Sequence, residues 1–427
     1  MKIKNVFDEI FSMENLQGAL EDAIRGRRYE REPLLYALNS YERLKGIQEE
    51  IYSGKYSIDK YYIFYVYEPK KRMIMSISFK HRIVQWAIYR VINPIFVKSY
   101  IEDSYGCVPG RGSLGAMKRL KSWLDHAHRK GGDWYYLKLD ISKYFYRISH
   151  RILKEILAKK IKDDRLLAVI FSIIDCEHTP FGLPPGKGPG EVPISERLYD
   201  VGMPIGNLMS QVFANLYLDQ LDQYCKRDLR IRHYIRYMDD VIILFPDKKQ
   251  LHAWKNQIEI FLKEELELDL NKKTCIRPVT QGIEFVGYRV WWDHATLRKS
   301  TALRIKRAVK GIMKKYSEGR ITAEEAFCTV TCYVGMMEQC DCQALEEKVL
   351  SEFVLRRDHG GGGQHDGGDP AGGGGTGRHH HAEGNDDLPA GPAADRAGDG
   401  ERRDRRSHTG NSGGAGAECG GILWREE

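Results

Sequence analysis

The chain of 427 residues lacks any run of about 20 apolar residues, the length that a membrane-spanning helix requires. Its first thirty residues mix acidic, basic and apolar side chains and do not resemble a secretory signal. Its nine cysteines have no regular spacing, which argues against a disulfide scaffold and for a reducing compartment. The chain also has no internal repeat. These absences set aside secreted, membrane and fibrous proteins.

The charge of the chain is unevenly distributed. Composition is that of a globular protein, with 42% hydrophobic and 29% charged residues. Residues 1–358 hold 59 Lys and Arg against 47 Asp and Glu, a net charge of +12, whereas residues 359–427 carry a net charge of −5. A body this basic favours a polyanionic partner, either nucleic acid or a membrane surface, although ordinary excess charge explains it equally well.

The C-terminal segment differs abruptly in composition from the rest. Residues 360–427 hold 21 of the 42 glycines and almost no Ile, Val or Phe. Such a segment cannot bury enough apolar surface to fold, so we expect residues 358–427 to be a disordered tail. Translation beyond a frameshift is one hypothesis for its origin, and a genuine linker with a lost terminal module is the other.

Periodicity divides the remaining chain into three regions. Residues 1–60 are helical in pattern, residues 61–292 alternate between strands and helices, and residues 293–357 are helical and basic at their start. Pro94 is expected to end the first long helix of the middle region. These patterns predict an α+β body followed by a small helical domain. The apolar positions of the N-terminal region include Leu34, Leu35, Ala37 and Leu38.

One carboxylate lies inside an apolar strand. Residues 135–141 have the period of two that is typical of a strand, and Asp140 shares one face of it with Lys138. An unpaired buried charge is costly, so Asp140 requires a partner. A structural salt bridge would explain such a residue about as often as a functional site.

Two adjacent carboxylates occupy the centre of a second apolar segment. Residues 234–245 form two apolar runs around Asp239 and Asp240, a pattern that predicts a tight hairpin with both carboxylates at its tip. Repulsion between them is relieved by a divalent cation, and hard carboxylate oxygens suit Mg²⁺. If this hairpin lies beside the strand of Asp140, three carboxylates converge. Two metals could then orient an attacking 3′-hydroxyl and stabilise a leaving pyrophosphate.

These motifs, in this order, resemble those of the reverse transcriptases over roughly residues 60–290. Asp140 lies in Leu-Asp-Ile-Ser-Lys-Tyr-Phe, similar to the first catalytic motif of the family, and residues 237–240 match the Tyr-X-Asp-Asp box. The resemblance implies a right-hand polymerase with fingers and palm at 61–292, made of antiparallel sheet and helices, and a helical thumb at 293–357. It implies RNA-directed DNA synthesis from an RNA template, a DNA or RNA primer and dNTPs, in a bacterial or phage-encoded cytoplasmic enzyme without a membrane partner.

The resemblance also assigns site residues one by one. Asp140, Ile141, Asp239 and Asp240 would hold two Mg²⁺ ions, with Mn²⁺ as a substitute, and the three aspartates would be catalytic. Without the family context, Phe145 would be a core aromatic and Lys272 a solvated surface lysine. The remaining assignments are Lys71 and Arg72 at the triphosphate, Phe145 as steric gate, Ile205, Gly206, Gln211 and Lys272 (or Lys273) at the nucleotide, residues 104–112 as a fingers motif, and Phe285, Val286, Gly287 and Tyr288 as primer grip.

A departure from the usual family pattern suggests a subgroup. In residues 202–211, Ile205 stands where most members have Gln, and Gln211 stands where most have Pro. This form resembles the enzymes of diversity-generating retroelements, which copy a template-repeat RNA into error-prone cDNA and so diversify a target gene (mutagenic retrohoming). That subgroup implies a small accessory variability protein as partner. Isoleucine offers only apolar contact, which is consistent with reduced fidelity, whereas adenine selectivity is implied by the resemblance alone.

Other interpretations remain open. A group II intron-like, retron or abortive-infection reverse transcriptase is the alternative within the family, although no nuclease or ribonuclease H domain is recognisable. A non-catalytic basic RNA-binding protein is the alternative outside it, and the three intact aspartates argue against it. Finally, we expect buried helical cysteines rather than zinc in the C-terminal region, because the spacing of Cys328, Cys332, Cys340 and Cys342 is not a usual zinc pattern.

Overall fold

The fold is that of a computed structural model of the chain. The predicted disordered tail at 358–427 lies outside the described residues, and so does Lys71 in the predicted fingers turn. No helix of the described part of the chain is long and apolar enough to cross a membrane. The residues described are 2–27, 29–58, 60–67, 72–175 and 179–357.

Helices form the N-terminal region, flank the sheets and make up the C-terminal region. Many begin after a residue with extended backbone, as at Ser12, whose hydroxyl accepts the Asn15 N–H. The helices are α1 (Phe7–Ile10), α2 (Met13–Ile24), α3 (Arg31–Leu38), α4 (Ser40–Tyr52), α5 (Phe79–Val97), α6 (Ser113–Lys130), α7 (His150–Lys160), α8 (Asp164–Asp175), α9 (Leu208–Gln223), α10 (Lys248–Leu266), α11 (Lys299–Ser317), α12 (Ala323–Met337) and α13 (Gln343–Glu352).

The strands form three antiparallel sheets. A two-stranded hairpin pairs β1 with β2, a central sheet has the order β4-β5-β3-β6, and a small sheet has the order β7-β8-β9. The predicted α+β class with antiparallel sheets and a helical C-terminal region is confirmed. The strands are β1 (Tyr62–Val66), β2 (Arg72–Ser76), β3 (Tyr135–Asp140), β4 (Tyr234–Tyr237), β5 (Asp240–Phe245), β6 (Cys275–Pro278), β7 (Ile283–Phe285), β8 (Tyr288–Val290) and β9 (Ala295–Leu297).

The central sheet separates two hydrophobic cores. Because side chains alternate along a strand, Leu137 and Leu139 of β3 enter the larger core with α5 and α7 to α10, while Tyr136 faces the smaller one. The smaller core also receives the apolar stripe of α11, which includes Ile305 and Val309. The basic C-terminal helices are therefore packed, through the small sheet and α6, against the palm-like sheet. The predicted boundary at residue 292 between fingers and palm and the thumb stays a prediction. The small sheet extends across that residue, because β9 pairs with β8.

One local expectation differs from the structure. Leu34, Leu35 and Leu38 lie on a helix as predicted, and they are 41–72% exposed, because α2, α4 and α5 supply the core of this region. Pro94 does not end α5, which continues to Val97. A proline so near a helix end loses only its own N–H bond, and the turn after it still closes through Lys98 N–H to the Pro94 carbonyl at 3.4 Å.

A fully buried ion pair anchors the end of the central sheet. Arg236 of β4 donates from Nε and Nη2 to the two carboxylate oxygens of Asp222 on α9, at 2.7 and 2.6 Å, and neither side chain is exposed. Burial alone would lower the pKa of Arg236, but attraction and hydrogen bonding from Asp222 outweigh it and raise that pKa. Arg236 also donates to Asn215 Oδ1, the Met238 carbonyl and Ser104 Oγ at 3.0–3.1 Å.

The substitution Arg236→Met is expected to lower the free energy of unfolding by about 3–5 kcal/mol, because it leaves the buried carboxylate of Asp222 without its partner. Urea unfolding at pH 7, followed by circular dichroism, measures the change. Arg151→Gln serves as a matched control, since Arg151 forms exposed ion pairs with Glu155 and Glu267 and its loss should have little effect. Equal losses in both variants would contradict the anchoring role of Arg236.

Candidate active site

A two-residue turn joins β4 to β5 and carries the adjacent carboxylates. Tyr237 pairs with Asp240 across the hairpin, which leaves Met238 and Asp239 as its tip. Met238 has a φ of 54°, a left-handed conformation that a tight hairpin turn demands. The predicted hairpin is thus present, with Asp239 at the tip and Asp240 as the first residue of β5.

The tip rests against the predicted fingers motif. A Cβ atom on Gly106 would lie 2.5 Å from the backbone nitrogen of Met238, so only glycine allows this approach. The Gly106 carbonyl accepts a hydrogen bond from Asn215 Nδ2 at 2.5 Å, and the Arg236 carbonyl accepts one from Tyr105 N–H at 2.9 Å. The loop, α9 and the hairpin are thereby held in one arrangement.

The strand of Asp140 lies beside the hairpin, which is the condition for the three carboxylates to converge. β3 pairs antiparallel with β5, and Asp140 stands directly opposite Asp240. Directly opposite residues have Cβ atoms about 4.5–5.5 Å apart, so like charges at these two positions repel. Asp239 follows on the tip, and its electrostatic interaction with Asp140 is strong enough to raise its pKa. The three predicted carboxylates are therefore neighbours.

This crowding perturbs both carboxylates of the hairpin. Burial raises the pKa of the Asp239 carboxyl, Asp140 raises it further, and Arg72 and Arg236 act in the opposite direction. Burial is also the main cause that raises the pKa of Asp240 to about 6. The Lys138 ammonium lowers that pKa but does not cancel the effects of burial and of Asp239 and Asp140. At neutral pH the site holds negative charge at a free-energy cost.

Lys138 is the one cation that contacts the carboxylates directly within the described residues. Its Nζ lies 3.0 Å from Oδ1 and 3.1 Å from Oδ2 of Asp240, and it donates to the Glu284 carbonyl on β7 at 2.7 Å. Lys138 thus links the carboxylates to the small sheet. Strand alternation predicts that Lys138 shares a face with Asp140, but its hydrogen bond to Glu284 depends on tertiary packing that no local pattern indicates.

The donor atoms of the site fit magnesium in kind. Asp240 Oδ1 is buried with the Lys138 ammonium 3.0 Å away, and no neutral donor of the described residues hydrogen-bonds to it, so its negative charge is open to a cation. No group of three or more His, Cys, Asp and Glu side chains in the described part of the chain already has metal-holding geometry. Mg²⁺ commonly takes one or two carboxylates and fills its other positions with water and phosphate oxygens, so the two facts are compatible. Ile141, the other predicted ligand, is buried and bridges to Leu270.

Arg72, Phe145 and Ile205 surround one neighbouring region. Arg72 opens β2 with an exposed side chain whose charge reaches Asp239. Phe145 and Ile205 are both half-buried against the cluster that contains Met73 and Met75. The Ile205 carbonyl accepts the Met75 N–H at 3.1 Å, and the Phe145 carbonyl accepts the Met203 N–H at 2.7 Å. The structure therefore brings these three predicted residues together beside the carboxylates.

The other residues predicted to contact the nucleotide are Gly206, Gln211 and Lys272. Gly206 has a φ of 113° and packs so closely on β2 that a Cβ would lie 2.9 Å from Ile74 Cγ2. Gln211 is exposed in the first turn of α9, where its Oε1 accepts a weak bond from the Cys107 thiol at 3.4 Å. Lys272 is exposed in a turn whose Asn271 N–H donates to the Asp140 carbonyl at 2.7 Å. The lysine turn is thus fastened directly to the strand of Asp140.

The predicted primer grip is a tight hairpin in the small sheet. Phe285 pairs with Tyr288, and the turn residues Val286 and Gly287 have φ values of 45° and 92°. Two consecutive positive φ values are typical of the primed turns that join short strands. Since Lys138 binds the carbonyl of the residue before Phe285, this hairpin has a direct connection to Asp240.

The C-terminal cysteines differ in part from expectation. Cys328 and Cys332 lie on α12 as predicted but are exposed rather than buried. Cys340 and Cys342 are half-buried between α12 and α13, with their sulfurs 3.4 Å apart. No zinc site is formed by the cysteines of the described residues.

Comparisons with known proteins point to one family. The family model described as "Reverse transcriptase (RNA-dependent DNA polymerase)" matches residues 67–290. Protein YkfC of Escherichia coli (strain K12) is 27% identical over 262 residues, covering 53% of this chain and 65% of YkfC. The group II intron-encoded protein LtrA of Lactococcus lactis subsp. cremoris is 23% identical over 339 residues, covering 64% of this chain and 53% of LtrA. This chain therefore spans between half and two thirds of the length of these relatives.

A solved structure is also similar. Telomerase from Candida albicans, in complex with a fragment of telomeric RNA, matches 63% of this chain and 52% of that chain. The TM-score is 0.41 and the sequence identity is 14%.

The raised pKa of Asp240 predicts how the metal-free protein responds to pH. The folded-state pKa of about 6 exceeds the unfolded value of about 3.9, so this group favours folding below pH 4 and loses that contribution as pH rises through 6. We expect Asp240→Asn to remove this group's decrease in the free energy of unfolding with rising pH, and therefore to raise that free energy at pH 7. Urea unfolding in EDTA between pH 4.5 and 7.5 measures both effects. Parallel pH profiles for the two proteins would contradict the expectation.

Proposed function

Because this chain belongs to the reverse transcriptase family, we propose that it is an RNA-directed DNA polymerase that extends a DNA or RNA primer along an RNA template with dNTPs. The observation that carries the proposal is the placement of Asp140 and Asp240 opposite each other on the paired strands β3 and β5, with Asp239 at the tip of the β4–β5 hairpin. Three mutually repelling carboxylates, whose charge the Lys138 ammonium only partly offsets, are suited to bind divalent cations.

In this proposal the carboxylates, with Ile141 beside them, hold two Mg²⁺ ions, for which Mn²⁺ can substitute. When bound, the metals supply the charge that activates a 3′-hydroxyl and stabilises a leaving pyrophosphate. The protein itself contributes position, because phosphoryl transfer depends on alignment and charge neutralisation more than on covalent chemistry. The hydrogen bond from Asn271 N–H to the Asp140 carbonyl, and that from Arg236 to the carbonyl of Met238 just before Asp239, fix that alignment before any substrate arrives.

The surrounding residues then take separate roles. Arg72, with Lys71 beside it in sequence, would hold the triphosphate, and Lys272 would approach it from the opposite turn. Phe145 would close the space beside the ribose 2′-carbon and so select deoxyribonucleotides. The hairpin of Phe285 to Tyr288 would position the primer, and its link through Lys138 would keep the primer end in register with Asp240.

The subgroup proposed is that of the diversity-generating retroelements. Ile205 lies half-buried beside Phe145, where it presents hydrocarbon to a nucleotide, and Gln211 lies exposed on α9. Apolar contact alone tolerates a mispaired nucleotide better than a hydrogen-bonding side chain does. In this role the enzyme would copy a template-repeat RNA with errors, in the bacterial cytoplasm, together with a small accessory variability protein.

A second candidate function is favoured by one of the comparisons. The relative LtrA is encoded by a group II intron, and its match extends over 64% of this chain. A group II intron-like reverse transcriptase would have the same carboxylates, metals and fold but would copy its RNA accurately. The two candidates differ in the error rate of the cDNA and therefore can be separated by sequencing the product.

Primer extension on a defined RNA template with dNTPs and Mg²⁺ tests the polymerase function. We expect product from the intact protein and a loss of at least about 1,000-fold in Asp239→Asn/Asp240→Asn, since several kcal/mol of transition-state stabilisation depend on the metals. Asp228→Asn changes an exposed carboxylate in the short segment that follows α9 and should retain activity. Absence of product from the intact protein, with and without an accessory protein encoded nearby, would favour a non-catalytic RNA binder.

Sequencing of the cDNA tests the subgroup. Ile205→Gln is expected to lower misincorporation, because it restores a polar contact near the nucleotide, whereas Ile205→Leu preserves the apolar contact and should preserve the errors. Accurate synthesis by the unaltered protein would exclude the diversity-generating role. An identical error spectrum in the Gln and Leu variants would remove Ile205 from the account of fidelity.

A further inference from the structure

A cavity of about 310 Å³ lies between α6 and the segment that leads into β4. It is far from the carboxylates. Trp134 immediately precedes β3, and His233 immediately precedes β4. Their rings are 5.9 Å apart and mark the end of the central sheet opposite to Asp140, which is the last residue of β3. At about 3.3 Å per residue along β3, that end is about 20 Å from Asp140. The lining residues are Arg119, Ser122, Trp123, His126, Arg232 and His233.

Cations exceed anions around this cavity. Asp103 is buried and serves two cations, with its Oδ1 2.8 Å from Arg119 Nε and its Oδ2 3.3 Å from Lys226 Nζ. The side chain of Arg232 is exposed and has no carboxylate partner within the described residues. Burial, followed by the charges of Arg232, His126, Lys226 and Lys130, lowers the pKa of His233 to about 4. Asp103 therefore offsets part of the positive charge around the cavity, and the charge of Arg232 has no carboxylate partner among the described residues.

The cavity also contains a cluster of rings. His233 meets the edge of Trp123 at a centroid distance of 5.3 Å, and His126 lies 6.3 Å from His233. The Arg119 guanidinium lies 5.2 Å from the centre of the Trp123 ring, which fixes its orientation. Trp123 is buried, whereas His126 is exposed, so the imidazole of His126 is the ring that offers a free face.

The arginines and the exposed imidazole of His126 match the phosphate and the base of a nucleotide, respectively. We propose that this cavity is a binding site for single-stranded nucleic acid outside the polymerisation site, with a backbone phosphate at Arg232 and Arg119 and an adjacent base stacked on His126. Unpaired bases stack on aromatic and histidine side chains, and their phosphates pair with arginine. A volume of about 310 Å³ is at the lower end of those that enclose a small ligand, which suits one nucleotide rather than a duplex.

The site goes beyond the proposed polymerase function, because strand extension at the carboxylates needs no contact at this distance. Binding at this site would keep a nucleic-acid strand attached to the protein several nucleotides away from the end that reacts. Such binding would slow dissociation of the strand without sequence specificity, because neither a phosphate contact nor a stacked base is specific for one sequence.

Fluorescence anisotropy with labelled 12-nucleotide RNA, and DNA of the same sequence, tests the site at several salt concentrations without dNTPs. Arg232→Gln is expected to weaken binding about 3- to 10-fold and to reduce the slope of log affinity against log salt by about 0.7, the value for one phosphate of a single strand. His126→Ala should weaken binding at least about fivefold with an unchanged slope, because stacking releases no counterion. Comparison of the two oligonucleotides shows which type of strand the site prefers.

Lys263→Gln is the matched control, since it removes one exposed positive charge from α10 on another part of the surface. Photocrosslinking of 4-thiouridine RNA, followed by peptide mapping, should place a crosslink within residues 122–126 or 232–233. Affinities and slopes of the Arg232 and His126 variants that equal those of Lys263→Gln, with no crosslink in these segments, would overturn the proposal. Neither readout involves polymerisation, so failure of the proposed enzyme activity would leave a positive result here intact, and the converse also holds.

Discussion

The geometry of the candidate site depends on one buried guanidinium. Arg236 is the largest of the fully buried side chains, and its donors reach α9, the loop at Ser104 and the hairpin tip at Met238. The planar fork of arginine can serve several acceptors in fixed directions, which an ammonium group cannot. Because Asp222 compensates its charge, the tip that carries Asp239 is held in place by the protein alone, before any metal or substrate contributes.

The same tip concentrates unfavourable charge. Asp140, Asp239 and Asp240 are brought together by strand pairing, and one ammonium, that of Lys138, only partly offsets them. The anchor at Arg236 and the repulsion among the carboxylates therefore act against each other, and the anchor prevails because it is dry and fully hydrogen-bonded. A site preorganised in this way requires little rearrangement when cations arrive, which is how electrostatic stabilisation becomes effective in enzymes.

Strand periodicity and the hairpin pattern were sufficient to predict the carboxylates. A period of two fixed the face of Asp140, and two apolar runs around Asp239 and Asp240 fixed a tip, so their meeting needed only that β3 and β5 be neighbours. The role of Arg236 was not predictable in the same way, because its partner Asp222 is a helical residue whose burial is set by tertiary packing. The end of α5 near Pro94 was misjudged for a related reason. Local propensity gives a helix, but the position of its end and the face it buries depend on the neighbouring helices.

The central sheet contributes side chains to both hydrophobic cores, and this affects how the molecule unfolds. Tyr136 belongs to one core and Leu137 to the other, so separation of either set of helices from the sheet would expose alternate residues of the same strand to water. Partial unfolding is therefore penalised from both sides, and the amide hydrogens of β3 and β5 should exchange with solvent only when the whole assembly opens. The hairpin β1–β2 lies outside this arrangement, but only β1 is largely exposed; β2 is buried at Met73, Ile74 and Met75 and is held by the hydrogen bond from Met75 N–H to the Ile205 carbonyl. The molecule thus combines a cooperative interior that keeps the carboxylates in place with a hairpin that attaches Arg72 to that interior through one buried strand.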